Sequence, residues 1–347
     1  MGAACILAAC AAIAITTALM TVRAADTDKA EASRNETLLR EEFARIPNRI
    51  VYESRQDGNW DLFVSSPDGS HASNLTHTPD VDELYPHASP DGERVCFVVD
   101  EGEDKAKVRN VYYMNIDGSE RKLVARNARQ PCWSPDGKTI AYLGGEFEEF
   151  CYRDFATKGI LFYDIETGKH REHPNKNIHH LYNLCWSPCG KWFVATVHGG
   201  MGYKHTNLAI EADGQGVYNL GIGGCRPDIS PDGKHIAWGS GDWSLSIADL
   251  DLTGPKPKVA NKHNLIISRK PTKVYHVDWS PDGKYVTFSR GPATKSLGMA
   301  PEIVGIKAEG WDICVARAAG RNQWIAITSN GSCNKEPDWV PVRKKEQ

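Results

Sequence analysis

The chain has 347 residues, 41% hydrophobic and 24% charged, with a formal net charge of −3. No basic excess points to nucleic acid and no acidic run points to a solvating tail, and a chain of this length can bury a large core without disulfides.

Ala3 to Thr21 is apolar, and Val22 and Ala24 occupy the −3 and −1 positions of a signal-peptidase site after Ala24. Residues 1–24 are therefore expected to be a signal peptide. The stretch lacks a basic start, which leaves an uncleaved membrane anchor open, and Leu7-Ala8-Ala9-Cys10 resembles a lipoprotein box. Each reading places the rest of the chain outside the cytoplasm, periplasmic or secreted. Residues 25–48 read as a connector with one short helix, Ser33 and Glu36 having capping-box spacing ahead of Leu38, Leu39 and Phe43.

From residue 49 one phrase recurs. Trp133-Ser134-Pro135-Asp136-Gly137-Lys138 and Trp279-Ser280-Pro281-Asp282-Gly283-Lys284 are the fullest copies. Ser230-Pro231-Asp232-Gly233-Lys234 and Ser89-Pro90-Asp91-Gly92-Glu93 are looser, and Ser187-Pro188-Cys189-Gly190-Lys191 has lost the Asp. Pro presets the first corner of a type I turn, Asp bonds its own backbone two residues on, and Gly supplies the left-handed position of a bulged hairpin. Alternating apolar runs follow each copy, Val95-Phe97-Val99 and Val286-Phe288 among them, and read as half-buried strands. The turn serines stand at 89, 134, 187, 230 and 280, a repeat of 43–53 residues. Periods of this size with four strands each mark propeller blades.

The two ends complete the count. Residues 49–76 supply a second, third and fourth strand without a first, with Ser66-Pro67-Asp68-Gly69 as an outer hairpin like Asn115-Ile116-Asp117-Gly118. Glu336-Pro337-Asp338-Trp339-Val340-Pro341 repeats a first strand and is followed only by a tail, 342–347. The expectation is an all-β, six-bladed β-propeller over 49–341 whose C-terminal strand completes the N-terminal blade.

Repeats of the form Trp-Ser-Pro-Asp-Gly-Lys, with Asp57-Gly58-Asn59-Trp60-Asp61-Leu62-Phe63-Val64 as a second phrase, resemble the TolB-like, WD-repeat-like propeller family. The resemblance covers about 49–341 and is specific for the fold. It implies a periplasmic propeller that binds protein partners, but not a function, because the phrase is scaffold chemistry. The family's namesake also carries an α/β domain ahead of its propeller, for which residues 25–48 leave no room.

Two sets of residues are candidate sites. Two positions before each turn serine stand His87, Cys132, Cys185, Asp228, Asp278 and, in the closing strand, Asp338. If first strands line the channel, these form a polar ring suited to a metal or a cationic ligand, or they simply bond neighbouring strands. The second set is histidine-rich: His170, His173, His179, His180, His198 and His205. His198 and His205, with Arg153, are the weak candidates for a carbohydrate lyase or glycosidase at a channel mouth.

Two insertions, Gly144–Gly159 and Gly291–Trp311, enlarge single blades and are expected either to serve recognition of a sugar or protein or to be extensions packed on the ring. No Gly-x-Ser-x-Gly elbow and no P-loop occurs. Of ten cysteines, eight lie beyond the signal, and Cys185 and Cys189 could pair across the altered turn. The sequence thus favours an exported, non-enzymatic and monomeric binding module for an envelope protein or glycan, with no nucleic acid. It calls for no cofactor, a bound metal ion being the alternative.

Overall fold

The computed structural model describes residues 31 and 33–342. The expected signal peptide and most of the C-terminal tail lie outside the described residues.

Residues 31 and 33–43 are helical, in a compact unit of their own that ends at Arg45. Ser33 therefore sits inside the helix and does not cap it; its carbonyl accepts the Thr37 hydroxyl at 3.0 Å. The capping-box spacing is a coincidence of composition.

From Ile46 the chain forms six four-stranded antiparallel sheets. Blade 1 joins Cys333–Val340 to Arg49–Gln56, Asn59–Ser65 and Ser73–Asn74, so the last strand closes the ring onto the first three. Blades 2 to 6 follow in chain order. Their innermost strands are Asp82–Ala88, Ala128–Trp133, Leu181–Trp186, Cys225–Ile229 and Thr272–Trp279.

The five repeated turns at Ser89, Ser134, Ser187, Ser230 and Ser280 join the first and second strands of their blades, while Ser66-Pro67-Asp68-Gly69 joins the third and fourth strands of blade 1. In blade 3 the Ser134 hydroxyl donates to Asp136 at 2.6 Å and accepts the Thr139 N–H at 2.9 Å, while Gly137 takes φ 68°. In the copy without Asp, the Ser187 hydroxyl meets the Cys189 sulfur at 3.3 Å and still accepts the Trp192 N–H. The serine holds the hairpin even there. At Gly92 the turn also touches the ring closure: a Cβ would stand 1.8 Å from the Pro341 carbonyl oxygen.

The second strands are buried more deeply than their alternation implies. Val95, Cys96, Phe97, Val98 and Val99 are all buried. Each blade packs between two neighbours, so both faces of its inner strands leave water and alternation vanishes. Blades 3 and 4 meet through Phe162, Trp186 and Phe193, whose rings lie 4.5–6.1 Å apart. The eight described cysteines are free, so Cys185 and Cys189 do not pair; Cys185 turns to Asp228 instead.

All six innermost strands carry a β-bulge at the same place, four residues before the turn serine or its equivalent. Tyr85, Gln130, Asn183, Arg226, His276 and Glu336 sit there with φ between 49° and 58°. A bulge re-aims its side chain out of the pleat. The bulges place a second polar layer along the channel, further from the turns than the layer at His87 and Asp228.

Candidate functional site

Of the side chains two before each turn serine, His87, Cys185, Asp228, Asp278 and Asp338 line one pocket and Cys132 is buried in the core of blades 3 and 4, and the set's first task is to stitch blades together. The Asp228 carboxylate accepts the Trp279 N–H of blade 6 at 2.8 Å, and Asp278 accepts the Trp339 N–H of blade 1 at 3.4 Å. Asp338 accepts the Ala88 N–H of blade 2 at 3.0 Å. Each acceptor reaches the equivalent amide of the next blade. Cys132 faces the Trp186 amide in the same way.

This stitching draws three carboxyl groups of adjacent blades into one cup. The cup has a volume of about 40 Å³ and is also lined by His87 and Cys185. The His87 Nδ1 lies 3.3 Å from Asp338, and the Cys185 thiol donates to Asp228 at 3.0 Å. Burial, and then the charges of Asp338 and Asp228, push the Asp278 carboxyl well above the ordinary range. Burial pushes Asp338 up to about 6, against the pull of His87 and the Ala88 amide. Asp228 is raised by burial, and Cys185 is held as a thiol by burial beside Asp228. Among the described residues no group of three or more His, Cys, Asp or Glu side chains has the geometry to hold a metal ion. The cup is a cluster of three carboxyl groups with His87 and Cys185 beside it, and His276 and Glu336 of the bulge layer also line it.

The opposite end of the channel is closed. Arg226, buried in the bulge layer, donates to Glu336 and Asp154 at 2.7 Å each, and to the Asn183 amide oxygen at 2.9 Å. It also donates to the Glu302 carbonyl at 3.1 Å. Asp154 comes from the 144–159 insertion and Glu302 from 291–311. Both insertions join second to third strands, so they rise from the face opposite the turns. Blades 3 and 6 are diametrically placed, and their insertions meet on this one guanidinium. Burial works against the Arg226 charge, but Glu336 and Asp154 hold it protonated. Burial also pushes Glu336 up to about 8 against Arg226. His276, buried between Arg226 and Lys335, is held neutral, its Nε2–H facing the Glu302 carbonyl and Glu336 at 3.0 Å each.

Lys335 completes the plug. It is fully buried, donates to the carbonyls of Pro301, Ile303 and Ile306 at 2.8–3.1 Å, and lies 3.7 Å from Glu53.

The expected rim site is only partly assembled. His198 and His205 face each other across two strands with rings 5.3 Å apart, and Phe155 stacks on His198 at 4.3 Å. The His205 Nε2 is taken by the Tyr182 hydroxyl at 3.0 Å, and burial, then His198, lower its affinity for a proton. His180 pairs with Glu146 at 3.1 Å. His170 and His173 lie elsewhere, bonded to Tyr142 and to the Glu211 carbonyl. Arg153 does not join: its side chain is exposed, and its carbonyl accepts from the Arg129 side chain and the Ala156 N–H. The backbone alternates, and the neighbour that turns inward is Asp154. Asp154 lies in the insertion expected to be a candidate for recognition, while Arg226, Glu336 and Lys335 were absent from the candidate sites, although the phasing that picks out Asp228 and Asp338 also picks out Arg226 and Glu336, two residues upstream.

No protein-family model and no curated protein sequence matches the chain. Among solved structures it is similar to TolB from Acinetobacter baumannii, with TM-score 0.61 and 18% identity over 85% of this chain and 67% of that one. It is similar to a putative TolB from Agrobacterium tumefaciens, with TM-score 0.55 and 17% identity over 86% of this chain and all of the other. A chain of the nidogen/laminin complex gives TM-score 0.58 at 9% identity, over 86% of this chain and all of that one. At such identities the likeness is one of fold. In its fold the chain is a TolB-like six-bladed propeller, and it is not TolB itself.

Proposed function

We propose that this propeller is an exported, non-enzymatic binding module that takes a cationic group of a protein partner into the acidic cup at the turn end of its channel. The observation that carries this reading is the asymmetry of the channel. One end is filled by a hydrogen-bonded plug around Arg226, while the other gathers Asp228, Asp278 and Asp338 beside His87 and Cys185, with His276 and Glu336 lining the same cavity. Three carboxyl groups held in a partly desolvated site favour a lysine, arginine or terminal ammonium of a partner, because that charge restores the ionised state that burial opposes. A neutral glycan would leave the same groups uncompensated.

The test is affinity capture from envelope extract, with wild-type protein compared against an Asp228→Asn/Asp278→Asn variant. Asparagine keeps the acceptor for the Trp279 and Trp339 amides, so the ring stays stitched while the charge is removed. Proteins enriched by the wild type are expected to fall about tenfold or more with the variant. Equal recovery by both would refute the proposal.

A further inference from the structure

The face opposite the turns carries a feature that the plug does not require. In the 291–311 insertion, Ser296 and Met299 bond each other's backbone across a two-residue turn, with Leu297 at φ 51° and Gly298 at φ 75°. Two positive φ values define a type I′ turn, whose first position favours Asn, Asp or Gly. Leucine is strained in the left-handed conformation there, because its Cβ crowds the following carbonyl. It is also 87% exposed, so no packing offsets the strain.

Across the ring, the 144–159 insertion exposes Phe147, at 48%. The charges flanking the two tips are opposite. Glu148 and Glu149 are exposed beside Phe147, Lys295 is exposed beside Leu297, and among the described residues none of the three has an ion pair within 4 Å.

We infer that this face docks a second copy of the same chain. The two insertions stand on diametrically opposed blades. A twofold axis in the plane of the ring, perpendicular to the line joining blades 3 and 6, lays each Phe147 tip on the partner's Leu297 tip. The same operation brings Lys295 against Glu148 and Glu149, twice. An isologous contact needs such a self-complementary surface. Stacked in this way, the dimer turns its two acidic cups outward, away from each other. Dimerisation does not depend on what the cups bind.

Sedimentation equilibrium of the full chain over a concentration series tests it. The wild type is expected to dimerise. Leu297→Asn should raise the dimer Kd by about tenfold or more while leaving the melting temperature equal or higher, since Asn-Gly suits the turn. Lys295→Glu alone, and Glu148→Lys/Glu149→Lys alone, should each weaken the dimer about tenfold or more, because each creates like-charge contacts twice over. An equimolar mixture of those two variants should dimerise again, since both contacts are then opposite in sign. A wild type that stays monomeric to roughly 0.1 mM, a dimer indifferent to Leu297→Asn, or a mixture no tighter than its components would overturn the inference. Loss of partner capture with an intact dimer would count against the cup alone.

Discussion

Replacing Arg226 with methionine is expected to lower the unfolding free energy at pH 8 by about 3–5 kcal/mol, read from urea denaturation. The guanidinium makes four contacts, with blades 1 and 4 and with both insertions, and nothing else among the described residues balances Asp154 and Glu336 together. Methionine fills most of the volume, so the loss reports the abandoned carboxylates and not a cavity. The deficit should be greater above pH 8 than below it, because Glu336, raised to about 8, is ionised only there, and Glu336→Gln in the same chain should recover part of it. An Arg226→Met variant within about 1 kcal/mol of wild type at pH 8 would mean that water, not arginine, satisfies those groups.

Lys335→Met should cost a similar amount, about 3–5 kcal/mol, for a different reason. The ammonium is the shared donor for three carbonyls of the 291–311 insertion, and it neutralises Glu53, which has no contact with solvent. Without it the carbonyls of Pro301, Ile303 and Ile306 converge on an apolar methyl group, and the insertion loses the point that ties it to the closing strand. Amide hydrogen exchange should therefore quicken across 301–306 well before it does in the blade strands. Exchange that rises evenly over the whole ring would show that Lys335 supports the fold in general and not the plug.

The architecture was legible in the amino-acid sequence because its signal is local and repeated. A Pro-Asp-Gly turn specifies its own hairpin, and five phased turns with complementary ends leave one way to close the ring. Part of the channel was legible for the same reason: counting two residues back from each serine reaches Asp228, Asp278 and Asp338. The plug was not legible. It depends on insertions that cross the ring and bring Asp154 and the Glu302 carbonyl to Arg226. Arg153 and Asp154 show the limit most plainly, since adjacent residues of one loop face opposite ways. The same holds for Val95–Val99, where burial on both faces follows from neighbouring blades and leaves no trace in the alternation.

The cup holds its carboxyl groups together without a compensating cation, and stability measured between pH 4.5 and 8 tests this most directly, for the wild type and for Asp278→Asn/Asp338→Asn. A carboxyl whose folded pKa lies above its unfolded value binds more protons in the native state over the interval between them, so stability is greatest at the acid end and falls as pH rises. Asp338, raised from 3.8 to about 6, alone corresponds to a loss on the order of 3 kcal/mol over that interval, and Asp278 and Asp228 act in the same direction. The predicted result is a wild type that weakens steadily toward pH 8 and a variant with a clearly shallower slope. Stability that is flat or rising from pH 4.5 to 8, or an equal slope in both proteins, would contradict a cup of uncompensated carboxyl groups.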